Sequence, residues 1–276
     1  VVSSDSVIAP HTSAEAYSAY RTVASSVLVA GAQELKRKDT HYKLAIELDH
    51  TGLSYIRDEG EEIAVGAMTT MAEIEKSPLL KGLAGGAICA SLREVPDREL
   101  KQRATLGGLI ASKQPFSMLL PILLSLTVDV VLEDKGRMEL RDYLSCPPMG
   151  ELITEIVIAR EFVYTAYMAY RSETGQQPYL TGAVTMGEDQ WRIVVGGRPG
   201  AAAIAEKASE ELSAKGLQAR ENVAHMVSEE LDFENFGPCS EQERRELTID
   251  MMRILIKKAW KGFSRQNSLT MKSVKR

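Results

Sequence analysis

Two short stretches of small residues are suited to meeting a phosphate. The first is Val27-Leu28-Val29-Ala30-Gly31-Ala32-Gln33-Glu34-Leu35, which reads as a short buried strand running into a small-residue turn. The second is Thr105-Leu106-Gly107-Gly108-Leu109-Ile110-Ala111. Small side chains leave backbone N–H groups bare, and bare N–H groups at a turn or a helix start can hold an anion. The chemistry this offers is binding, not bond cleavage. The first stretch holds a single glycine, so three readings stand: a nucleotide loop, an altered one, or a plain strand-to-loop junction. The second reads as a cofactor contact or as a tight turn before a helix. Thr69 and Thr70 could donate hydroxyls to a ligand, while Thr70 also sits where a helix would begin. Arg103 and Lys113 could offset phosphate charge or simply be solvated. Gly196-Gly197-Arg198-Pro199 reads first as a structural turn.

Other chemistries find little support. Cys89, Cys146 and Cys239 are far apart and form no CxxC pair or iron–sulfur spacing. An odd number of scattered cysteines fits free thiols in a reducing, cytoplasmic setting. His11, His41, His50 and His225 are also scattered, with none four residues from another, so no metal site is expected. No Ser/His/Asp or Cys/His arrangement follows from spacing. The formal net charge is -5, against the basic excess of a dedicated nucleic-acid binder. No apolar run approaches the ~18 residues that cross a bilayer. The opening residues lack a basic region followed by an apolar one, so no secretory signal is expected in them. The basic, polar stretch from Ser264 to Arg276 reads as a solvated tail, with partner docking as the sharper alternative.

The elements that must position the two loops follow from periodicity. "THYKLAIELD", "EEIAVGAMTT", "TVDVVLE" and "LITEIVI" read as strands. Thr12-Ser13-Ala14-Glu15 predicts a capping box opening a helix to about Ser25, and Thr70 to Glu73 predicts another before Ser77-Pro78. "FSMLLPILLSL" reads as a buried helix, with Pro121 kinking it or sitting in its first turn. The character changes near Ala159-Arg160. "EFVYTAYMAYRS", "YLTGAVTMG" and "WRIVVGGR" predict a three-stranded antiparallel meander, with turns at Thr174-Gly175 and Gly187-Glu188-Asp189. Helices follow. The last places Leu247, Met251, Ile254 and Leu255 on one core-facing stripe. The fold class is α+β.

The order of these phrases resembles a known family. Gly66-Ala67-Met68-Thr69-Thr70, then Thr105-Leu106-Gly107-Gly108, then "LLPILLSL", "RDYLSC", "LITEIVI" and "VVGGRPGAAA" are similar to the flavin-binding subunit of xanthine-dehydrogenase-type molybdenum hydroxylases. That group includes the medium subunit of aerobic carbon monoxide dehydrogenases, and the likeness covers nearly the whole chain. The resemblance implies an FAD-binding domain over 1–160, made of two α+β subdomains with a boundary near 57–62. It implies a C-terminal domain over 161–276 with a three-stranded sheet and helices. It assigns the pyrophosphate to the backbone of Ala30, Gly31, Ala32, Gln33, Glu34 and Leu35. Thr105, Gly107 and Gly108 would contact the pyrophosphate and adenosine side, and Thr69 the flavin side. Tyr167 and Tyr170 would stack near the flavin ring or simply pack. The implied partners are a molybdopterin-containing large subunit, a [2Fe–2S] small subunit and NAD as a candidate acceptor, with no nucleic acid and no membrane. Four residues depart from the family pattern. Ala32 stands for a glycine, Leu109 for an asparagine and Met118 for an aspartate, while Glu34 adds a carboxylate beside the pyrophosphate. They motivate a second reading, a structural subunit of the same complex that has lost FAD.

Overall fold

Tertiary contacts divide the chain into two compact units that alternate along the sequence. The computed structural model describes residues 3–31, 40–95, 97–147, 150–173, 176–235 and 238–274, with side chains through Leu269. The first unit comprises 1–79, 97–113 and 128–159; the second comprises 80–96, 114–127 and 160–276.

The first unit holds two sheets. Ser4–Ile8 (β1), Ser26–Val29 (β2) and Tyr42–Glu47 (β3) pair in parallel in the order β1-β3-β2. Helix α1 (Ser13–Thr22) packs Ala16 against Leu44, Ile46 and Leu48. Thr12 caps it by accepting the Glu15 N–H at 3.2 Å. The Glu15 carboxylate receives the N–H of His11 at 3.1 Å, one residue before the expected partner of a capping box. The helix stops at Thr22, short of Ser25, whose φ of 62° is left-handed and cannot continue it.

Ile56–Asp58 (β4), Glu62–Gly66 (β5), Val128–Leu132 (β6), Gly136–Glu139 (β7) and Ile153–Ala159 (β8) form an antiparallel sheet in the order β4-β5-β8-β6-β7. Its interior strands carry fully buried Ile63, Val65, Val130 and Ile156. Short helices accompany it: Met71–Lys76 (α2), Arg98–Arg103 (α5), Leu106–Ala111 (α6) and Leu140–Ser145 (α8). Pro78–Lys81 (α3) spans the end of the unit's first segment.

The second unit combines Ala87–Arg93 (α4) and Leu120–Leu124 (α7) with a four-stranded antiparallel sheet. The expected meander is Tyr164–Tyr170 (β9), Leu180–Met186 (β10) and Trp191–Gly196 (β11). A two-residue strand, Ala203–Ile204 (β12), joins it at the β11 edge. Pro121 sits in the first turn of α7, where its missing N–H costs no helical bond. Glu206–Lys215 (α9), Arg220–Glu230 (α10) and Glu241–Val274 (α11) build a helical layer. Its Leu212, Val223, Val227, Met251 and Leu255 share one core with Val184, Ile193 and Val195 of the sheet.

The long helix corrects one expectation and sharpens another. Its buried face runs through Arg244, Thr248, Met251, Met252, Leu255, Ile256, Ala259 and Phe263, while Ile254 is 41% exposed. The apolar stripe is therefore rotated from the one expected, with Met252 in place of Ile254. The helix also continues to Val274, so the stretch after Ser264 is helical, with Arg265, Ser268 and Leu269 exposed to solvent. Among the described residues, no helix is long and apolar enough to cross a membrane. The turn expected at Thr174-Gly175 lies outside the described residues, and the one at Gly187 closes with its N–H donating to Gln190 O at 2.8 Å.

Close packing in this unit gives a prediction with an unusual sign. The Tyr164 ring is wedged between two glycines. A Cβ on Gly85 would come within 2.5 Å of one ring edge, and a Cβ on Gly262 would overlap the other. Helix propensity alone favours Gly262→Ala by about 1 kcal/mol. Overpacking of about 1–3 kcal/mol outweighs it, because Gly85 blocks the ring's retreat. Chemical denaturation should show Gly262→Ala destabilised, and should show the same change stabilising in a Tyr164→Leu background.

Candidate functional site

The first loop begins where β2 gives out. Val29 O still accepts the Leu48 N–H at 3.2 Å, and then the chain turns at Gly31 with φ +72°. A Cβ there would overlap the Arg103 carbonyl, and the Ala104 Cα would be 3.6 Å away. Gly31 therefore lies backbone against backbone on the end of α5, in a conformation that costs other residues about 1–2 kcal/mol. Ala30, beside it, faces the second loop: a Cβ on Gly108 would stand 3.2 Å from Ala30 O.

The second loop is held by the strand end at Gly66. Met71 N–H donates to Ala104 O at 2.9 Å, Leu106 N–H to Thr69 O at 2.9 Å, and Gly107 N–H to Ala67 O at 2.8 Å. Thr70 and Thr105 form an antiparallel bridge between the two segments. Gly107 has no room for a side chain, since a Cβ would lie 2.7 Å from the Ala67 Cβ. Thr105 caps α6 by accepting the Gly108 N–H at 3.3 Å. Within the first unit, the fold thus gathers Ala30, Gly31, Thr69, Thr105, Gly107 and Gly108 into one cluster. Ala32, Gln33, Glu34 and Leu35 lie outside the described residues.

The hydrogen bonds assign these residues their immediate tasks. Thr69 is buried, and its hydroxyl donates to Tyr55 O at 2.9 Å and accepts the Tyr55 N–H at 3.2 Å, so its one proton is committed. Thr70 makes the expected reciprocal capping box with Glu73. Burial raises the Glu73 pKa, but hydrogen bonds from the Thr70 N–H, the Thr70 hydroxyl and Ser54 outweigh it, and the carboxyl ends below its usual range. Arg103 pairs with Glu99 at 3.3 Å. Lys113 takes a role the sequence did not suggest: its ammonium donates to the carbonyls of Tyr143 and Cys146, each at 2.6 Å, closing the C-terminal end of α8. Burial lowers its pKa.

What remains at the surface of the cluster is side-chain-poor. Ala30, Gly31, Gly108 and Leu109 are partly exposed, and no carboxylate belongs to the described residues of either loop. Such a backbone-lined patch suits the diphosphate of a dinucleotide cofactor, which needs close approach and no competing charge.

The other candidates fall in the second unit, apart from one on the edge of the first. Met118 Sδ accepts a hydrogen bond from Arg171 at 2.9 Å, and Arg171 also pairs with Glu94 at 3.0 Å. The Tyr167 hydroxyl is buried with no hydrogen-bond partner among the described residues, and burial raises its pKa. Tyr170 stacks on Tyr179 at 6.5 Å. The Gly196-Gly197 turn is fixed by the Gly197 N–H donating to Pro115 O at 2.6 Å and by Arg244, which donates to Gly197 O at 2.9 Å and to Tyr179 O. Sequence reasoning missed Arg244. Its signal was an arginine on the buried stripe of α11, four residues before Thr248. At the edge of the first unit, Ser3 Oγ meets His41 Nδ1 at 2.8 Å and His41 Nε2 meets Asp5 at 2.7 Å. The His41 and Asp5 side chains are 58% and 66% exposed, the opposite of a water-excluded nucleophilic site, so this relay fastens β1 to β3. Among the described residues, no group of three His, Cys, Asp or Glu could hold a metal.

Comparison with known proteins follows the same lines. Residues 3–160 match the family described as the FAD-binding domain in molybdopterin dehydrogenase. A carbon monoxide dehydrogenase chain from Hydrogenophaga pseudoflava superposes with a TM-score of 0.85 at 20% identity, over 95% of this chain and 99% of that one. A quinoline 2-oxidoreductase chain from Pseudomonas putida 86 gives 0.84 at 19% identity, over 94% and 97%. These likenesses define the fold. The uncharacterized Escherichia coli K12 protein YgfM is 29% identical over 175 residues, which are 62% of this chain. The matched region spans 66% of that relative's length.

Two outcomes are expected at the cluster. Gly31→Ala should destabilise the first unit by about 2 kcal/mol or more, the left-handed cost plus displacement of α5, measured by urea denaturation. For Glu73, a depressed folded pKa means stability that is present above the unfolded value and lost as pH falls through the folded one. Glu73→Gln should therefore flatten the loss of melting temperature below about pH 4.5.

Proposed function

The chain belongs to the family of FAD-binding domains of molybdopterin dehydrogenases, and on that premise we propose that it is the FAD-carrying, electron-transferring subunit of a multi-subunit molybdenum hydroxylase. The observation that carries this reading is the seating of Ala30-Gly31 on Arg103, Ala104 and Gly108, which brings the two loops together in a backbone-lined patch. The backbone at Ala30-Gly31 and the chain onward to Leu35 would hold the pyrophosphate, with Gly108 allowing close approach. Thr105 and Gly107 would act one step back, by fixing the start of α6 and its distance from the Gly66–Thr70 segment. Thr69 would act through Tyr55, keeping that segment in place. FAD, when bound, supplies the capacity to take up and release electrons. The protein's part is to bind, orient and shield.

Under this proposal residues 1–160 carry the cofactor and 161–276 form the C-terminal part. The partners would be a large molybdopterin subunit, where substrate is oxidised, and a small [2Fe–2S] subunit, with NAD or another final acceptor. A cytoplasmic location goes with it. The scattered spacing of Cys89, Cys146 and Cys239 supports leaving the iron–sulfur chemistry to a partner.

A second reading has its own support. The N–H groups of Leu106, Gly107 and Gly108 are already engaged within the protein, and Ala32, Glu34, Leu109 and Met118 depart from the family pattern. A structural subunit that has lost FAD would show these features. Titration with FAD separates the two, following flavin fluorescence for the parent and for the Ala32→Gly/Leu109→Asn double variant. We expect the parent to bind and the double variant to bind about ten- to a hundredfold more tightly, equivalent to about 1–3 kcal/mol. If neither binds, the structural reading replaces the first. Native mass spectrometry of the complex should also show a molybdopterin subunit and an iron–sulfur subunit with this chain.

A further inference from the structure

Along α11, Arg245 and Arg253 are ion-paired, whereas the cations that follow form no ion pair among the described residues. Arg245 pairs with Glu241 at 2.9 Å, and Arg253 pairs with Glu221 at 2.7 Å and Asp250 at 2.9 Å. From Ile254 to the end, the sequence contains seven Lys and Arg and no Asp or Glu. The chain as a whole has 33 Lys and Arg against 38 Asp and Glu, so everything before Ile254 carries 26 against 38. Lys257, Lys258, Lys261 and Arg265 are exposed, and no ion pair joins any of them among the described residues.

Their spacing aligns them. Ile254, Lys258, Lys261 and Arg265 recur at i, i+4, i+7 and i+11 and share one face of the helix. Ile254 is exposed within that face, and Trp260, 40% exposed, lies beside Lys257 on the adjoining row. A solvated face normally mixes signs, as the first half of this helix does. Here like charges follow one another at i+3 and i+4, which costs an isolated helix a few tenths of a kcal/mol per pair. The helix dipole does not explain them, because its effect is confined to the last turn and Lys258 lies more than four turns before Val274. A long polyanion is a poor occupant. It would run past the patch toward an acidic body, and charges within about 8 Å still repel at physiological salt. Aromatic and apolar anchors set among cations suit a compact, acidic protein surface.

We propose that the outer face of α11 docks an acidic surface on a partner subunit, with Ile254 and Trp260 as the apolar anchors between Lys257, Lys258, Lys261 and Arg265. This rests on the multi-subunit reading above. The test uses the full chain expressed with its native partners, comparing the parent with Lys258→Glu/Lys261→Glu/Arg265→Glu and with Lys258→Arg/Lys261→Arg. Native mass spectrometry would follow retention in the complex from about 50 to 500 mM salt, alongside melting temperature and flavin content. We expect the charge-reversed chain to dissociate at least tenfold more readily than the parent. We also expect the arginine variant to be retained and the melting temperature and flavin content to be unchanged. A parent that carries no other subunit overturns the multi-subunit reading and this proposal with it. A parent that is bound, with a reversed variant bound equally well at every salt, overturns this proposal alone. So does a reversal that changes only self-association of this chain. The same holds if the parent binds duplex DNA or phosphatidylglycerol vesicles and the reversal's only effect is to abolish that binding.

Discussion

The candidate site depends on a contact that involves almost no side chain. Gly31 turns with φ +72° directly against the carbonyl of Arg103, so the end of β2 and the end of α5 meet through their backbones. A methyl group at that point would hold them apart. Ala30 then comes to rest against Gly108, and the start of α6 is carried with it. The hydrogen bonds that follow, from Met71 to Ala104, Leu106 to Thr69 and Gly107 to Ala67, are short-range and regular, and they fix the second loop to the strand end at Gly66. The arrangement has a physical logic. Backbone groups can be presented to a ligand only where side chains are missing, and side chains can be missing only where another backbone fills the space.

The second unit solves its own positioning problem with a buried cation. Arg244 reaches the carbonyls of Gly197 and Tyr179, and Gly197 holds Pro115 through its N–H. One guanidinium ties the turn after β11 to the start of β10, and the Gly197 N–H adds the segment leading to α7. Burying a cation is costly, and burial pulls the pKa of Arg244 downward, partly offset by Cys239 and Tyr179. Carbonyl oxygens return much of that cost because each is a fixed dipole already aimed at the charge.

Local patterns made much of this legible in the sequence. The strands with alternating or continuous β-branched residues were readable, as were the Thr70–Glu73 box and the meander, while Pro121 took the second of the two places open to it. The family phrases led to the two loops. What escaped depended on packing across distance. Nothing local told that the Glu15 carboxylate would reach His11, or that Ser25 would end α1 with a left-handed residue. The face of α11 was misjudged because Ile254 outranks Met252 in apolar character, whereas the core selected Met252 by geometry. Lys113, after a glycine loop, could offset phosphate charge or be solvated, and it does neither. Its positive φ and the open carbonyls of α8 sent it elsewhere. Arg244 was not singled out, since burial of a guanidinium is decided by carbonyls far away in the sequence.

The interleaving of the two units has a consequence for how this chain can be divided. The polypeptide passes from one unit to the other five times, at residues 79, 96, 113, 127 and 159. The family match over 3–160 ends at the last of these passages, and so it includes two segments, 80–96 and 114–127, that belong to the second unit. A boundary drawn in sequence is thus not a seam along which the molecule can be opened. A fragment ending near residue 160 would carry α4 and α7 without the sheet they pack on, and the complementary fragment would expose that sheet face. Protein engineering that treats the cofactor part as a transferable cassette would have to move, or rebuild, both of those segments' supports.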